Sequence, residues 1–203
     1  MLEKPATQFL SELSSNAPVP GGGGASAAVG AFAAALGMMV TNLTIGKKKY
    51  ADYEEEVKAV RDRLEGLRDQ LIDLVDGDAV AFEPLSKAYS IPKDDPERDT
   101  IMENALYEAS IVPMSIMETA LAAAKELEVL VEKGSKLAVS DVGVGILFAQ
   151  AAIEGASLNV YINTKSMKDR ERAAALDAKA DAIIADGAAL KARIYSGVLA
   201  AIK

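Results

Sequence analysis

Apolar residues recur at alternating steps of three and four along Val57, Val60, Leu64, Leu67, Leu71 and Leu74. That spacing keeps them on one face of a long amphipathic helix. The next position in the register is Asp78, and Ala81 and Leu85 then resume the apolar seam. A carboxylate therefore stands where the helix should bury a leucine. An unpaired ionised carboxylate is costly to bury, so such a group finds a partner or rises in pKa. A raised pKa suits a general acid or base near neutral pH. A bend that exposes Asp78, a buried cap or a salt bridge would give the same pattern without chemistry.

The rest of the chain is patterned for helices as well, with few β-branched alternating runs and turn signals far apart. A short helix is expected from Glu3 to Leu13, followed by a Pro/Gly loop from Ser14 to Gly24. Helices are then expected over Ala25–Ile45 and Asp52–Tyr89, the second bent near Pro84. Asp94 or Asp95 can cap a fourth helix that has Pro96 in its first turn and runs to Val131, strained at Pro113. Gly134 marks a break, and Ser140 or Asp141 can start a fifth helix. A sixth, over Lys168–Ile202, aligns Ala173, Leu176, Ala180, Ile183, Gly187, Leu190, Ile194 and Ala201. With no internal repeat or linker, residues 1–203 read as one all-α domain, a bundle of long helices around a buried Ala/Gly-rich central helix.

That central helix needs separate thought, because Leu13 to Gly46 carries no charge over 34 residues. The stretch is long enough to span a bilayer. It opens on four glycines and is rich in alanine, both weakly hydrophobic, so it reads as a helix buried on all sides of a soluble bundle rather than a membrane span. Met1 to Asn16 contains Glu3, Lys4 and Glu12 and lacks the compact apolar run of a signal peptide, so a cytoplasmic location is expected.

Composition narrows the chemistry. The chain has no Cys and no His, which removes thiolate nucleophiles, disulfides, the commonest general base and the usual zinc ligands. A net charge of −8 and the absence of Trp argue against nucleic acid or an acidic membrane as partner. Catalysis must come from carboxylates, lysines, hydroxyls, amides or backbone dipoles. Asp73, Asp76 and Asp78 cluster, but one helix does not supply enough convergent oxygens for a hard cation, and no metal is expected.

Four further groups are candidates. Gly21, Gly22, Gly23 and Gly24 precede a helix, where free N–H groups and the helix dipole favour a negative or electron-rich group. Lys47, Lys48 and Lys49 end the uncharged helix; they complement its dipole and also offer an anchor for a carboxylate-bearing ligand. Asp141 reads as a helix cap or a polar site group. Asn159 and Asn163, one turn apart in apolar surroundings, suit either a bound heterocycle or unpaired backbone groups.

Taken together these blocks resemble the cyclodeaminase/cyclohydrolase family, which includes the C-terminal domain of formiminotransferase-cyclodeaminase and stand-alone bacterial methenyltetrahydrofolate cyclohydrolases. The resemblance runs through Ala17-Pro18-Val19-Pro20-Gly21-Gly22-Gly23-Gly24 and Asn42-Leu43-Thr44-Ile45-Gly46-Lys47-Lys48-Lys49-Tyr50. It continues at Asp76-Gly77-Asp78-Ala79-Val80-Ala81-Phe82, Ile91-Pro92-Lys93, Ser140-Asp141-Val142-Gly143-Val144 and Leu158-Asn159-Val160-Tyr161-Ile162-Asn163. The blocks keep their order over about residues 10 to 170.

The resemblance implies an all-helical homodimer with a folate site in a cleft near the subunit interface, and it places the family's proposed catalytic base on Asp78. The expected reaction is reversible hydrolysis of 5,10-methenyltetrahydrofolate to 10-formyltetrahydrofolate, with no cofactor beyond the folate, whether or not the folate carries a polyglutamate tail. Lys47 or Lys48 would hold the glutamate tail or polarise the formyl oxygen. Asp141, Asn159 and Asn163 would orient the pterin, and the loop glycines would donate N–H groups. Formiminotetrahydrofolate cyclodeaminase is the alternative reaction, and a folate-binding module without turnover is the alternative class. One departure stands out: the family usually has Gly-Asn before its Ser-Asp block, whereas Gly134 here is followed by Ser135, so a substrate contact from that Asn would be altered or replaced.

Overall fold

The computed structural model describes residues 1–2 and 4–203. Among these, every regular element is helical: α1 (Ala6–Leu13), α2 (Gly22–Asn42), α3 (Glu54–Tyr89), α4 (Arg98–Lys133), α5 (Val139–Thr164) and α6 (Arg170–Ile202), with 3₁₀ turns at Lys48–Tyr53 and Lys136–Ala138. Glu3, from which the first helix is expected, lies outside the described residues.

The helix ends depart from expectation for local reasons. α2 begins at Gly22 rather than Ala25, so part of the glycine run forms its first turn. α4 starts at Arg98, two residues after Pro96, because the Asp95 carboxylate accepts the Glu97 N–H at 2.8 Å and closes a turn ahead of the helix. α5 has no side-chain cap, and Ser140 and Asp141 sit inside its first turn instead of starting it. α6 is capped by Asp169, which accepts the Arg172 N–H at 2.9 Å.

α2 packs against α3, α4 and α5, while α6 covers α4 and α5. Small residues make the close packing of α2 feasible: a Cβ on Gly37 would stand 2.7 Å from Leu64 Cδ1 and 2.9 Å from Leu127 Cδ2. α2 and α5 are antiparallel. The Ser135 N–H ahead of α5 donates to Thr44 Oγ1 at 2.8 Å, whereas Gly22 at the other end of α2 faces Asn159. On α6 the seam is buried at Ala173, Ala180, Ile183, Gly187, Leu190 and Ile194, Leu176 is only partly buried, and Val198 rather than Ala201 completes it.

α2 is not buried on all sides. Its three neighbours leave a flank on which Phe32 is 55% exposed, with Met39 and Leu43 also open. α5 presents Val144, Leu147, Phe148, Leu158 and Ile162 to the outside in the same way. These two helices are long and apolar enough to cross a membrane, yet 61% and 56% of their most apolar windows are buried in the bundle.

Two prolines interrupt helices. Pro84 is exposed, and so is Val80, whose carbonyl loses its partner. Pro113 is buried, so its gap in α4 must be closed from within the protein.

Candidate active site

At the end of the bundle where α2 begins, four helices meet around a cavity of about 150 Å³. Three of them present it a pair of residues one turn apart: Asp78 and Phe82 on α3, Ala109 and Pro113 on α4, Asn159 and Asn163 on α5. The spacing of four stacks each pair on one helix face. Gly21 and Gly22 enter from the start of α2, with Pro18 and Val19 from the loop before it and Ile162 from α5.

Asp78 is half-buried against the first turn of α2. Its Oδ2 accepts the Gly24 N–H at 2.9 Å. That contact satisfies one of the N–H groups a helix start leaves open, and it puts the carboxylate at the positive end of the dipole. Burial pushes the Asp78 pKa above its ordinary value of 3.8, and the Gly24 hydrogen bond only partly opposes this. Gly23 makes the arrangement sterically feasible, because a Cβ there would fall among the carboxylate atoms. The seam aspartate is thus neither exposed by a bend nor held in a salt bridge.

The two asparagines use their amide nitrogens on the protein. Asn159 Nδ2 donates to the Gly155 carbonyl at 3.1 Å, and Asn163 Nδ2 donates to the Ala109 carbonyl at 3.0 Å. Their Oδ1 atoms have no hydrogen-bond partner among the described residues and are not sealed from the cavity. Together with Asp78 they give a wall rich in acceptors. Among the described residues no Lys or Arg lines the cavity. Such a wall suits a ligand with N–H donors or a delocalised positive charge. Among the described residues no three His, Asp or Glu gather as a metal site, and Asp76 pairs with the Met1 ammonium at 2.5 Å.

The model of the family described as formiminotransferase-cyclodeaminase matches residues 5–182. The chain belongs to this family. A methenyltetrahydrofolate cyclohydrolase of Methylorubrum extorquens is 41% identical over 194 residues, covering 94% of this chain and 93% of the relative. The formimidoyltransferase-cyclodeaminase of Sus scrofa is 32% identical over 173 residues, and the chain spans only 32% of its length. A crystal structure of formiminotetrahydrofolate cyclodeaminase from Thermotoga maritima superposes with a TM-score of 0.92 at 30% identity, covering both chains fully.

In this member of the formiminotransferase-cyclodeaminase family the sequence candidates divide between two ends of the bundle. Gly21, Gly22, Gly23, Gly24, Asp78, Asn159 and Asn163 gather at the cavity end. Lys47 and Lys48 are exposed beyond the far end of α2, about 30 Å away along a helix rising 1.5 Å per residue. Asp141, in the first turn of α5, shares that far end, as does Ser135. Within one chain these residues do not reach the cavity. The sequence reading missed Pro113 and Ala109 as wall residues. The signal available for them was a proline in the middle of a helical pattern.

Proposed function

We propose that this chain is a methenyltetrahydrofolate cyclohydrolase, interconverting 5,10-methenyltetrahydrofolate and 10-formyltetrahydrofolate in the cytoplasm. The observation that carries the reading is Asp78, a carboxylate of raised pKa at a helix start, in a cavity whose other polar side-chain atoms are amides. The substrate carries an amidinium cation, N5–C–N10, which an acceptor-rich wall without cations favours. The relative that matches this chain over nearly the full length of both is itself named a cyclohydrolase.

The chemistry needs one base and a dipole. Water adds to the amidinium carbon, and Asp78 takes the proton it loses as the C–O bond forms. The resulting neutral adduct collapses: the C–N5 bond breaks, Asp78 returns its proton to N5, and the hydroxyl proton leaves to solvent. The formyl group stays on N10. The Gly22 N–H, which as the first of the helix has no intrahelical partner, stabilises the oxygen as charge develops on it. Asn159 and Asn163 accept from the pterin N–H groups.

A homodimer completes the proposal. The open apolar flanks of α2 and α5 are the face for a second copy. With the twofold axis perpendicular to α2, the helix and its mate run antiparallel, which brings the lysine end of one chain toward the cavity end of the other. Lys47 and Lys48 then serve the glutamate tail in trans, with Asp141 beside them. Placing a charge on that face, as in Leu147→Glu, gives a monomer by analytical ultracentrifugation; an unchanged mass would place the interface elsewhere.

The full-length likeness to a formiminotetrahydrofolate cyclodeaminase supports the second reading, in which the same carbon loses ammonia. Absorbance of 5,10-methenyltetrahydrofolate, followed with purified protein against spontaneous hydrolysis near neutral pH, decides between them. Rapid enzyme-dependent loss establishes the cyclohydrolase. No acceleration, with ammonia released from formiminotetrahydrofolate, establishes the cyclodeaminase. Ligand binding with neither turnover leaves a folate-binding module.

A further inference from the structure

We infer that Pro113 is a positioning residue, and that its missing N–H sets which atom of Asn163 the cavity presents to a ligand. Residue 113 would ordinarily donate to the Ala109 carbonyl one turn earlier; a proline has nothing to donate. Pro113 is buried and Ala109 is only 6% exposed, so bulk solvent has little access to that carbonyl. The Ala109 carbonyl instead accepts Asn163 Nδ2 at 3.0 Å from α5. Both Ala109 and Pro113 line the cavity, so the exchange takes place in its wall.

The consequence concerns orientation. An asparagine amide has one donor end and one acceptor end, and a half-turn about its last bond exchanges them. With Nδ2 held by Ala109, Oδ1 is left as the free end at the cavity. The proline gap therefore specifies an acceptor at position 163 and selects ligand edges that carry N–H groups. Pro84 is the internal contrast. It opens the same kind of gap on α3, but Val80 is 69% exposed, so solvent is at hand for its carbonyl and no side chain is recruited.

The inference rests on the proposed folate reading only for the ligand used in its kinetic arm. Pro113→Ala restores a backbone N–H at position 113, which takes the Ala109 carbonyl and releases the Asn163 amide. The first measurement is hydrogen exchange of the Asn163 side-chain amide by NMR, with the signal identified by its loss in Asn163→Asp. Exchange at least about tenfold faster in Pro113→Ala is expected once the hydrogen bond is gone. Unchanged exchange overturns the inference, whatever the protein's substrate proves to be.

The second measurement is a double-mutant cycle on the KM for 5,10-methenyltetrahydrofolate. Pro113→Ala should raise KM about five- to tenfold in the native background, with kcat falling less, and change it less than about twofold in Asn163→Ala. Equal effects in both backgrounds would mean that Pro113 acts as cavity wall and not through Asn163. Replacing proline by alanine inside a helix removes a local defect, and circular dichroism confirms the fold. If the native protein leaves methenyltetrahydrofolate untouched, the cyclohydrolase reading fails, and amide exchange still decides the inference.

Discussion

Gly23 and the Asp78 carboxylate share one space: the side chain that any other residue would bring at position 23 is replaced by the oxygens of Asp78. The closeness lets the carboxylate reach the Gly24 N–H and holds it at the start of α2.

Gly23→Ala is therefore expected to displace Asp78 while leaving α2 helical, since alanine is the better helix former. Turnover should fall at least about 100-fold, the usual worth of a positioned general base. Gly22→Ala is the control, because its Cβ would meet Asn159 at an ordinary 3.6 Å. It should stay within about tenfold, the worth of one adjusted hydrogen bond. Parallel steady-state kinetics on the two variants make the comparison.

Asp78→Asn removes the base and keeps an oxygen for the Gly24 N–H. Its kcat should fall by about 10² to 10⁴ with the fold intact. In the native protein kcat/KM should decline as pH falls through the Asp78 pKa, which burial has moved above 3.8. Residual activity of the variant should lack that inflection. A pH–rate profile of both proteins checks this, and unchanged turnover removes Asp78 from the mechanism.

The same substitution should stabilise the protein at neutral pH. A pKa higher in the folded state than in the unfolded state means that folding favours the protonated acid. Its contribution is fully present below the unfolded pKa near 3.8 and is lost as pH rises through the folded value. At pH 7 ionised Asp78 is thus a cost that asparagine relieves, by about 1 kcal/mol or about 2–4 °C in Tm. Thermal scans should show the gain at pH 7 and its disappearance toward pH 4.

Trans assembly makes its own prediction. A chain carrying Asp78→Asn and a chain carrying Lys47→Ala with Lys48→Ala should each be poor catalysts at limiting substrate. Mixed after separate purification, they should regain up to about one quarter of native activity per site, because half of the subunits are heterodimeric and one of two sites in each is whole. No recovery after verified subunit exchange would confine the lysines to another role.

Much of this was legible in the chain. The stripe from Val57 to Leu74 made α3 long, and its interruption singled out Asp78, because periodicity is a local signal. The Asp95 turn was misjudged as a cap because a cap and a turn use the same aspartate–amide contact and differ only in where helical dihedrals begin. Lys47, Lys48 and Asp141 read as companions of the glycine loop because motifs carry order and not distance. The length of α2 then separates them from it. The Asn163–Ala109 contact was out of reach, as it joins residues 54 positions apart through a carbonyl that every residue possesses.

The cavity draws its walls from four stretches of chain, near residues 18–22, 78–82, 109–113 and 159–163. A contiguous fragment that holds the first and the last of them must run from residue 18 to residue 163, across α2, α3, α4 and α5. The site therefore exists only where α2, α3, α4 and α5 have come together, and a chain that binds ligand there has already paired these four helices. Ligand binding can stand as a census of molecules in which these helices are joined, and a metabolite in excess would protect the bundle from opening at the end where glycines pack and two prolines interrupt the helical ladders.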